Sequence, residues 1–136
     1  MKNQIGDAHR WFRQAEHDLK VAQKNLKDRF YSDACFMAEQ ASQKGLKAYL
    51  FFTGERFVLS HSVTKLALDC GQKDKGFEAI IDGARILDKY YIPTRYPDAL
   101  AGPSAPFELY TQGEAEEALS YAAKILDLVR KKIIKK

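Results

Sequence analysis

The stretch of sequence that decides the fold is residues 34–52, ACFMAEQASQKGLKAYLFF. Small residues recur in it at steps of three and four, namely Ala34, Ala38, Ala41, Gly45 and Ala48. That spacing places them on one face of an α-helix. Because small side chains let a neighbouring helix approach closely, we expect this helix to lie at the centre of a bundle, with packing as the role of the stripe.

The same periodicity predicts the limits of the first two helices. Apolar residues at helical spacing indicate a first helix over residues 7–28. Ser32 or Asp33 can cap the second helix, which is predicted to end near Thr53, where Gly54 supplies a left-handed stop.

Three more helices are predicted in the second half of the chain. A short one lies within residues 60–71, with Ser60 or Ser62 as its cap. The next spans residues 74–92, because Pro93 disfavours helix for the residue before it. The last begins at the capping box Thr111-x-x-Glu114. Together these elements predict an all-α fold, an up-and-down bundle of four to five helices that forms a single domain over residues 1–136.

A long proline-rich loop is predicted before the last helix. All four prolines and Gly102 fall between Ile92 and Gln112, in about twenty residues without helical periodicity. Loops of that length in compact domains are usually functional or disordered. The first half, residues 90–98 (YYIPTRYPD), is aromatic and stiffened by proline, so we expect it to pack on the bundle.

The positive charge is concentrated at the C-terminus. The formal net charge is +4, and residues 130–136 (RKKIIKK) carry five positive charges, which leaves −1 for the remainder. This basic tail has two interpretations: a solvated helix end that complements the macrodipole, or a segment that contacts RNA.

Several classes of protein are disfavoured by what the sequence lacks. No apolar run approaches the roughly 18 residues of a membrane span, and the start MKNQ lacks the apolar stretch of a signal peptide, so we expect a cytoplasmic protein without a membrane partner. The two cysteines and three histidines show no metal-ligand spacing. No phosphate-binding glycine motif occurs. We therefore expect neither a metal nor a cofactor.

Arg95 is the first candidate binding residue. Its planar guanidinium suits phosphate, and Tyr90, Tyr91 and Tyr96 are placed to stack against a base. The alternative is a structural clamp in which Arg95 pairs with Asp98 or a helix carboxylate.

Arg56 and His61 form a second candidate pair, separated by four residues. A histidine that relays protons and an arginine that stabilises phosphorane charge are the minimum for metal-independent RNA cleavage. The alternative places His61 at a helix start as a structural residue. Lys44 and Lys47 add candidate phosphate contacts, or they are solvent-facing lysines.

The chain resembles the HEPN family (higher eukaryotes and prokaryotes nucleotide-binding). The resemblance is carried by Trp11 with residues 15–19 (AEHDL), residues 38–41 (AEQA) with 44–48 (KGLKA), residues 61–66 (HSVTKL) and residues 90–98. It implies a helical bundle that commonly dimerises, is often encoded beside a small nucleotidyltransferase and sometimes belongs to a toxin–antitoxin pair.

Ribonuclease branches of that family are similar in using an Arg-x4-6-His motif late in the bundle. Here the match, Arg56 to His61, comes early, and no histidine follows Arg95. Gln43 also stands where similar proteins often have glutamate.

Three hypotheses follow. The leading one is a mostly noncatalytic module that binds a nucleotide, RNA or a nucleotidyltransferase partner through Arg95, Tyr96, His61, Lys44 and Lys47. The second is a metal-independent ribonuclease that uses His61 with Arg56 or Arg95. The third is a ligand-free dimeric interaction protein.

Overall fold

The chain folds into an all-helical bundle. The computed structural model describes residues 3–91, 96, 98 and 102–134, and no strand occurs in those ranges. Its helices are α1 (Gln4–Lys27), α2 (Tyr31–Phe52), α3 (Val63–Lys73), a 3-10 helix (Lys75–Ile80), α4 (Ile81–Asp88), α5 (Pro106–Leu109) and α6 (Gln112–Ile133). The predicted all-α class is confirmed. Over the same ranges, no helix has the length and apolar character needed to cross a bilayer.

Helix α2 is the centre of the bundle, as its small residues predicted. It packs against α1, α3, α4 and α6, and 15 of its 22 residues are buried. A Cβ atom on Gly45 would lie 2.9 Å from Leu126 Cδ1 of α6 and 4.0 Å from Ala15 Cβ of α1. The small residues therefore let two helices approach α2 at the same level.

The start of α2 differs from the prediction. Its N-cap is Phe30, which makes no side-chain capping bond, while Ser32 and Asp33 lie inside the first turn. Arg29 adopts φ +67°, and the Phe30 amide donates to the Asn25 carbonyl at 2.8 Å. The tight turn out of α1 thus sets the start of α2. The left-handed residue predicted at its end is confirmed at Gly54, with φ +106°.

The predicted fourth helix is wrong as one continuous element. The chain forms a 3-10 helix to Ile80 and then α4, which ends at Asp88, short of Ile92. The Asp74 side chain accepts from the Gly76 amide at 2.8 Å and tightens this first turn. Because α4 ends at Asp88, the turn that follows it buries Tyr90, while Tyr91 stays partly exposed.

The capping residue of α3 is Ser62, one of the two candidates, whose Oγ accepts from the Lys65 amide at 3.1 Å. Asp88 completes this cap from the end of α4. Its carboxylate accepts from the amides of Val63 at 2.6 Å and Thr64 at 3.0 Å and from Ser62 Oγ at 2.9 Å. A carboxylate at a helix N-terminus also complements the macrodipole, so Asp88 ties α4 to α3.

The stretch before the last helix is only partly as predicted. Residues 92–95, 97 and 99–101 lie outside the described residues, and the packing of this half-loop stays a prediction. Within the second half the chain forms the short helix α5, which the absence of periodicity did not predict. The capping box of α6 is confirmed: the Glu114 amide donates to Thr111 Oγ1 at 3.1 Å, and the Thr111 amide donates to Glu114 Oε1 at 3.0 Å.

The two cysteines are buried within the core. Burial, with a smaller contribution from the carboxylate of Glu114, raises the pKa of Cys35 to about 12. Burial likewise raises the pKa of Cys70, whose Sγ lies 3.6 Å from the Leu46 carbonyl oxygen. Neither thiol carries reactive thiolate near neutral pH.

A glycine pair tests the packing of α4 on α6. A Cβ atom at Gly83 would lie 2.5 Å from Tyr121 Cδ1 and 2.9 Å from its Cγ, whereas one at Gly71 in α3 would meet nothing within 4 Å. We expect Gly83→Ala to lower the free energy of unfolding by about 1–3 kcal/mol. Gly71→Ala should raise it by up to about 1 kcal/mol through helix propensity. Urea denaturation of both variants checks this, and equal effects would contradict the close helix contact.

Candidate functional site

Charged side chains are buried where α1 meets α2. Asp18 of α1 is 3% exposed, and Glu39 and Lys47 of α2 are 0% and 6% exposed. Burial of a charge costs several kcal/mol unless it is paired or hydrogen-bonded. A cluster of such residues on two adjoining helices is therefore a candidate site.

Asp18 and Lys44 form the first pair of the cluster. Lys44 Nζ donates to Asp18 Oδ2, and Gln14 Nε2 donates to Asp18 Oδ1 at 3.0 Å. The Lys44 side chain keeps 27% of its surface exposed, although the Asp18 side chain keeps only 4%. An ammonium group has three donors, so Lys44 retains capacity for a second anionic partner at the surface.

Glu39 is the most deeply buried acid of the cluster. Its carboxylate accepts from Gln40 Nε2 at 2.8 Å and from Gln43 Nε2. Burial raises the pKa of Glu39 to about 7; the Asp88 carboxylate adds to the rise, while the two amides and Lys44 oppose it. Near neutral pH this carboxyl is therefore shared between its protonated and ionised forms.

Lys47 lies under the only tryptophan of the chain. Its Nζ is 5.4 Å from the centroid of the Trp11 ring, a cation–π distance. Burial lowers the pKa of Lys47, with Glu39 opposing and Lys44 adding to the shift. Trp11 in turn packs against Phe51 at 5.6 Å. The indole thus contacts both a cation and an aromatic ring.

An open groove of about 300 Å³ borders this cluster, and we call it the Trp11 groove. It is lined by Arg10, Trp11, Gln14 and Lys44. An indole face beside two cations and an amide suits a planar base next to an anionic group. The helices thus unite Lys44 and Lys47, two of the predicted site residues, around a tryptophan.

The remaining predicted site residues lie elsewhere. His61 is exposed, and its ring stacks on Tyr91 at 6.1 Å, while Tyr91 stacks on Phe36 of α2 at 6.4 Å. Arg56 is exposed in the connection before α3, and no hydrogen bond joins it to His61 in the structure. His61 does not cap α3, because Ser62 does.

Of the two predicted site residues in the proline-rich loop, the structure describes Tyr96. Tyr96 is 57% exposed. Arg95 lies outside the described residues, so its role stays a prediction. In the part of the chain that the structure describes, no three His, Cys, Asp or Glu side chains converge as metal ligands would.

Sequence reasoning missed Asp18, Glu39 and the contact between Trp11 and Lys47. A signal was present, since Asp18 falls in helical register with the apolar residues Ala15 and Ala22, and Glu39 with Cys35 and Leu46. Charged residues in the register of a core face indicate buried polar networks.

Comparisons with known proteins define the class of this bundle. A family model described as the HEPN domain matches residues 8–132. The chain therefore belongs to the HEPN family, which confirms the resemblance found in its motifs.

Particular relatives are similar over nearly the whole chain. A crystal structure of TT1696 from Thermus thermophilus superposes with a TM-score of 0.86 and 42% identity, over 92% of this chain and 97% of that one. ST0689, described as an archaeal HEPN homologue, superposes with a TM-score of 0.77 and 34% identity, over 98% of this chain and 99% of that one. A Methanocaldococcus jannaschii protein named "Putative toxin MJ1304" is 28% identical over 128 residues, 88% of this chain and 84% of that protein.

The raised pKa of Glu39 predicts a pH-dependent stability. The Glu39 carboxyl binds its proton more tightly in the folded protein than in the unfolded chain, where its pKa has the ordinary value of 4.5. Stability should therefore fall as the pH rises from about 4.5 to about 7, by up to about 3 kcal/mol, and the loss is complete above that range. Glu39→Gln keeps an uncharged partner for the amides and should remove this fall. Urea denaturation at pH 5 and pH 8 tests it; parallel changes in both proteins would contradict the assignment.

Proposed function

We propose that this HEPN domain is a nucleotide-binding module whose nucleotide sits in the Trp11 groove. The observation that carries the proposal is the placement of Lys44 and Lys47 beside a fixed indole ring. The indole offers a face for a base, while Arg10 and the free donors of Lys44 meet the phosphates. In the proposal Arg95, Tyr96 and His61 form a second contact region, apart from the groove.

The module acts with a protein partner. The similarity to a protein named as a toxin supports membership in a toxin–antitoxin-type pair. The resemblance to HEPN proteins encoded beside a small nucleotidyltransferase makes such an enzyme the proposed partner, and a homodimer the proposed form of this chain. Sedimentation of the chain alone and with a candidate transferase tests both points, and a monomer that ignores the transferase would contradict them.

A titration that follows the single tryptophan tests the nucleotide site directly. ATP, GTP, AMP and a short RNA are added while the fluorescence of Trp11 is recorded, and calorimetry measures the same binding. We expect saturable quenching by at least one of them, because a stacked base contacts the indole. Arg10→Gln should weaken binding by about tenfold or more through loss of a charge-assisted hydrogen bond.

Arg85→Gln is the matched control. Arg85 forms an i,i+3 pair with Asp82 and Arg10 forms one with Asp7, and the two arginine side chains are 61% and 68% exposed. The control should bind like the wild type. Equal weakening in both variants, or no quenching by any ligand, would contradict a nucleotide site in the groove. Arg95→Ala then tests whether the proline-rich loop contributes.

A metal-independent ribonuclease is the second candidate function. The observation that favours it is His61, whose imidazole stacks on Tyr91 and is exposed where a ligand can reach it. RNA cleavage that resists a chelator and is lost in His61→Ala would support it. A clean preparation that leaves RNA intact would exclude it under those conditions.

A further inference from the structure

The outer face of α1 carries an unbroken row of basic residues, which we call the basic stripe. Its members recur at alternating steps of three and four and are Arg10, Arg13, His17, Lys20, Lys24 and Lys27. All six are exposed. At 100° per residue they lie opposite Ala8, Phe12 and Ala15, the core face of the same helix.

The carboxylates of α1 and of its C-cap neutralise only the two ends of this row. Glu16 accepts from Arg130 of α6 at 2.8 Å, and Asp18 is buried with Lys44, so both face helices of the bundle. The acids at the ends, Asp7 and Asp28, pair with the stripe members Arg10 and Lys24. Arg13, Lys20 and Lys27 make no ion pair among the described residues.

The stability of the fold does not require the whole stripe. Neighbouring like charges at these spacings destabilise a helix by about 0.2–0.5 kcal/mol a pair. The helix dipole accounts for Lys24 and Lys27 in the last turn but not for Arg10 or Arg13 near the start. General basicity does not explain it either, because the chain before residue 130 has a net charge of −1.

We infer that the basic stripe binds the sugar–phosphate backbone of an RNA strand. From Arg10 to Lys27 it runs about 26 Å, with a basic side chain about every 5 Å, and cations in a line suit the repeating charges of a backbone. An anionic membrane is disfavoured, because none of the large exposed apolar side chains falls between residues 10 and 27.

The stripe begins beside the Trp11 groove, since Arg10 belongs to both. Unpaired bases of a single strand can stack on an aromatic ring while its phosphates follow the cations. This favours single-stranded RNA as the occupant. The inference extends the proposed function but does not need it, because the backbone contacts lie outside the groove.

Binding of a fluorescein-labelled single-stranded RNA, followed by anisotropy over a range of salt concentrations, tests the inference. The test variant is Arg13→Glu/Lys20→Glu/Lys27→Glu, which spares Arg10. We expect the affinity to fall by about tenfold or more at low salt. The slope of log K against log salt should become shallower by about 2, because each lost phosphate contact removes about 0.7.

The control variant is Lys75→Glu/Lys89→Glu/Lys124→Glu. It makes the same change of charge at three exposed lysines outside α1. The control should keep the wild-type slope. Thermal unfolding should show the stripe variant folded and close to the wild type in stability, because the like-charge repulsion that is removed offsets the dipole interaction lost with Lys27.

Three outcomes would overturn the inference: equal losses in both triple variants, no RNA binding by the wild type, or equally tight binding of a heparin fragment, which means general capture of polyanions. Tighter binding of duplex RNA or duplex DNA would contradict the assignment to a single strand. Titration with ATP separates the two proposals. If the stripe variant loses RNA binding but still binds ATP, the stripe proposal stands and the groove is intact. If Arg10→Gln loses ATP binding but still binds RNA, the groove is affected and the remaining stripe is enough for RNA.

Discussion

The close approach of α1 and α6 to α2 excludes water from the centre of the bundle, so each buried polar side chain on α2 must find its partner inside the protein. Gly45 shows how tight this approach is, since a Cβ atom there would lie only 2.9 Å from Leu126 Cδ1. Glu39 meets the condition with two neighbouring amides, and Lys44 with Asp18 of α1. The packing that makes α2 central therefore also fixes the charged cluster.

The charged cluster interacts electrostatically with a distant part of the fold, the end of α4. Glu39 feels the charge of Asp88, and Asp88 caps α3 next to His61. The charge of this one carboxyl group thus interacts both with Lys44, which lines the Trp11 groove, and with Asp88 at the end of α4. On its opposite side α1 presents a row of cations. One helix therefore contributes Asp18 to the buried charged cluster and a positively charged face to the surface.

Periodicity predicted the bundle well because α1, α2 and α6 each bury one continuous face, and a local pattern records that face. It predicted the two ends of α4 poorly. The 3-10 turn begins at Asp74, whose carboxylate also pairs with Lys132 of α6, a residue far away in the sequence. The start of α2 depends on the strained turn at Arg29. Motif matching selected Lys44 and Lys47, but their partners Asp18 and Trp11 lie 26 or more residues away in the sequence.

The two shielded thiols have a practical consequence. Because burial keeps Cys35 and Cys70 protonated and out of reach, maleimide reagents should pass over them while the chain stays folded. A single cysteine engineered on the outer surface of α1 can then carry a dye or spin label without removal of the native pair. The rate at which the two native cysteines are modified then measures how often the bundle opens.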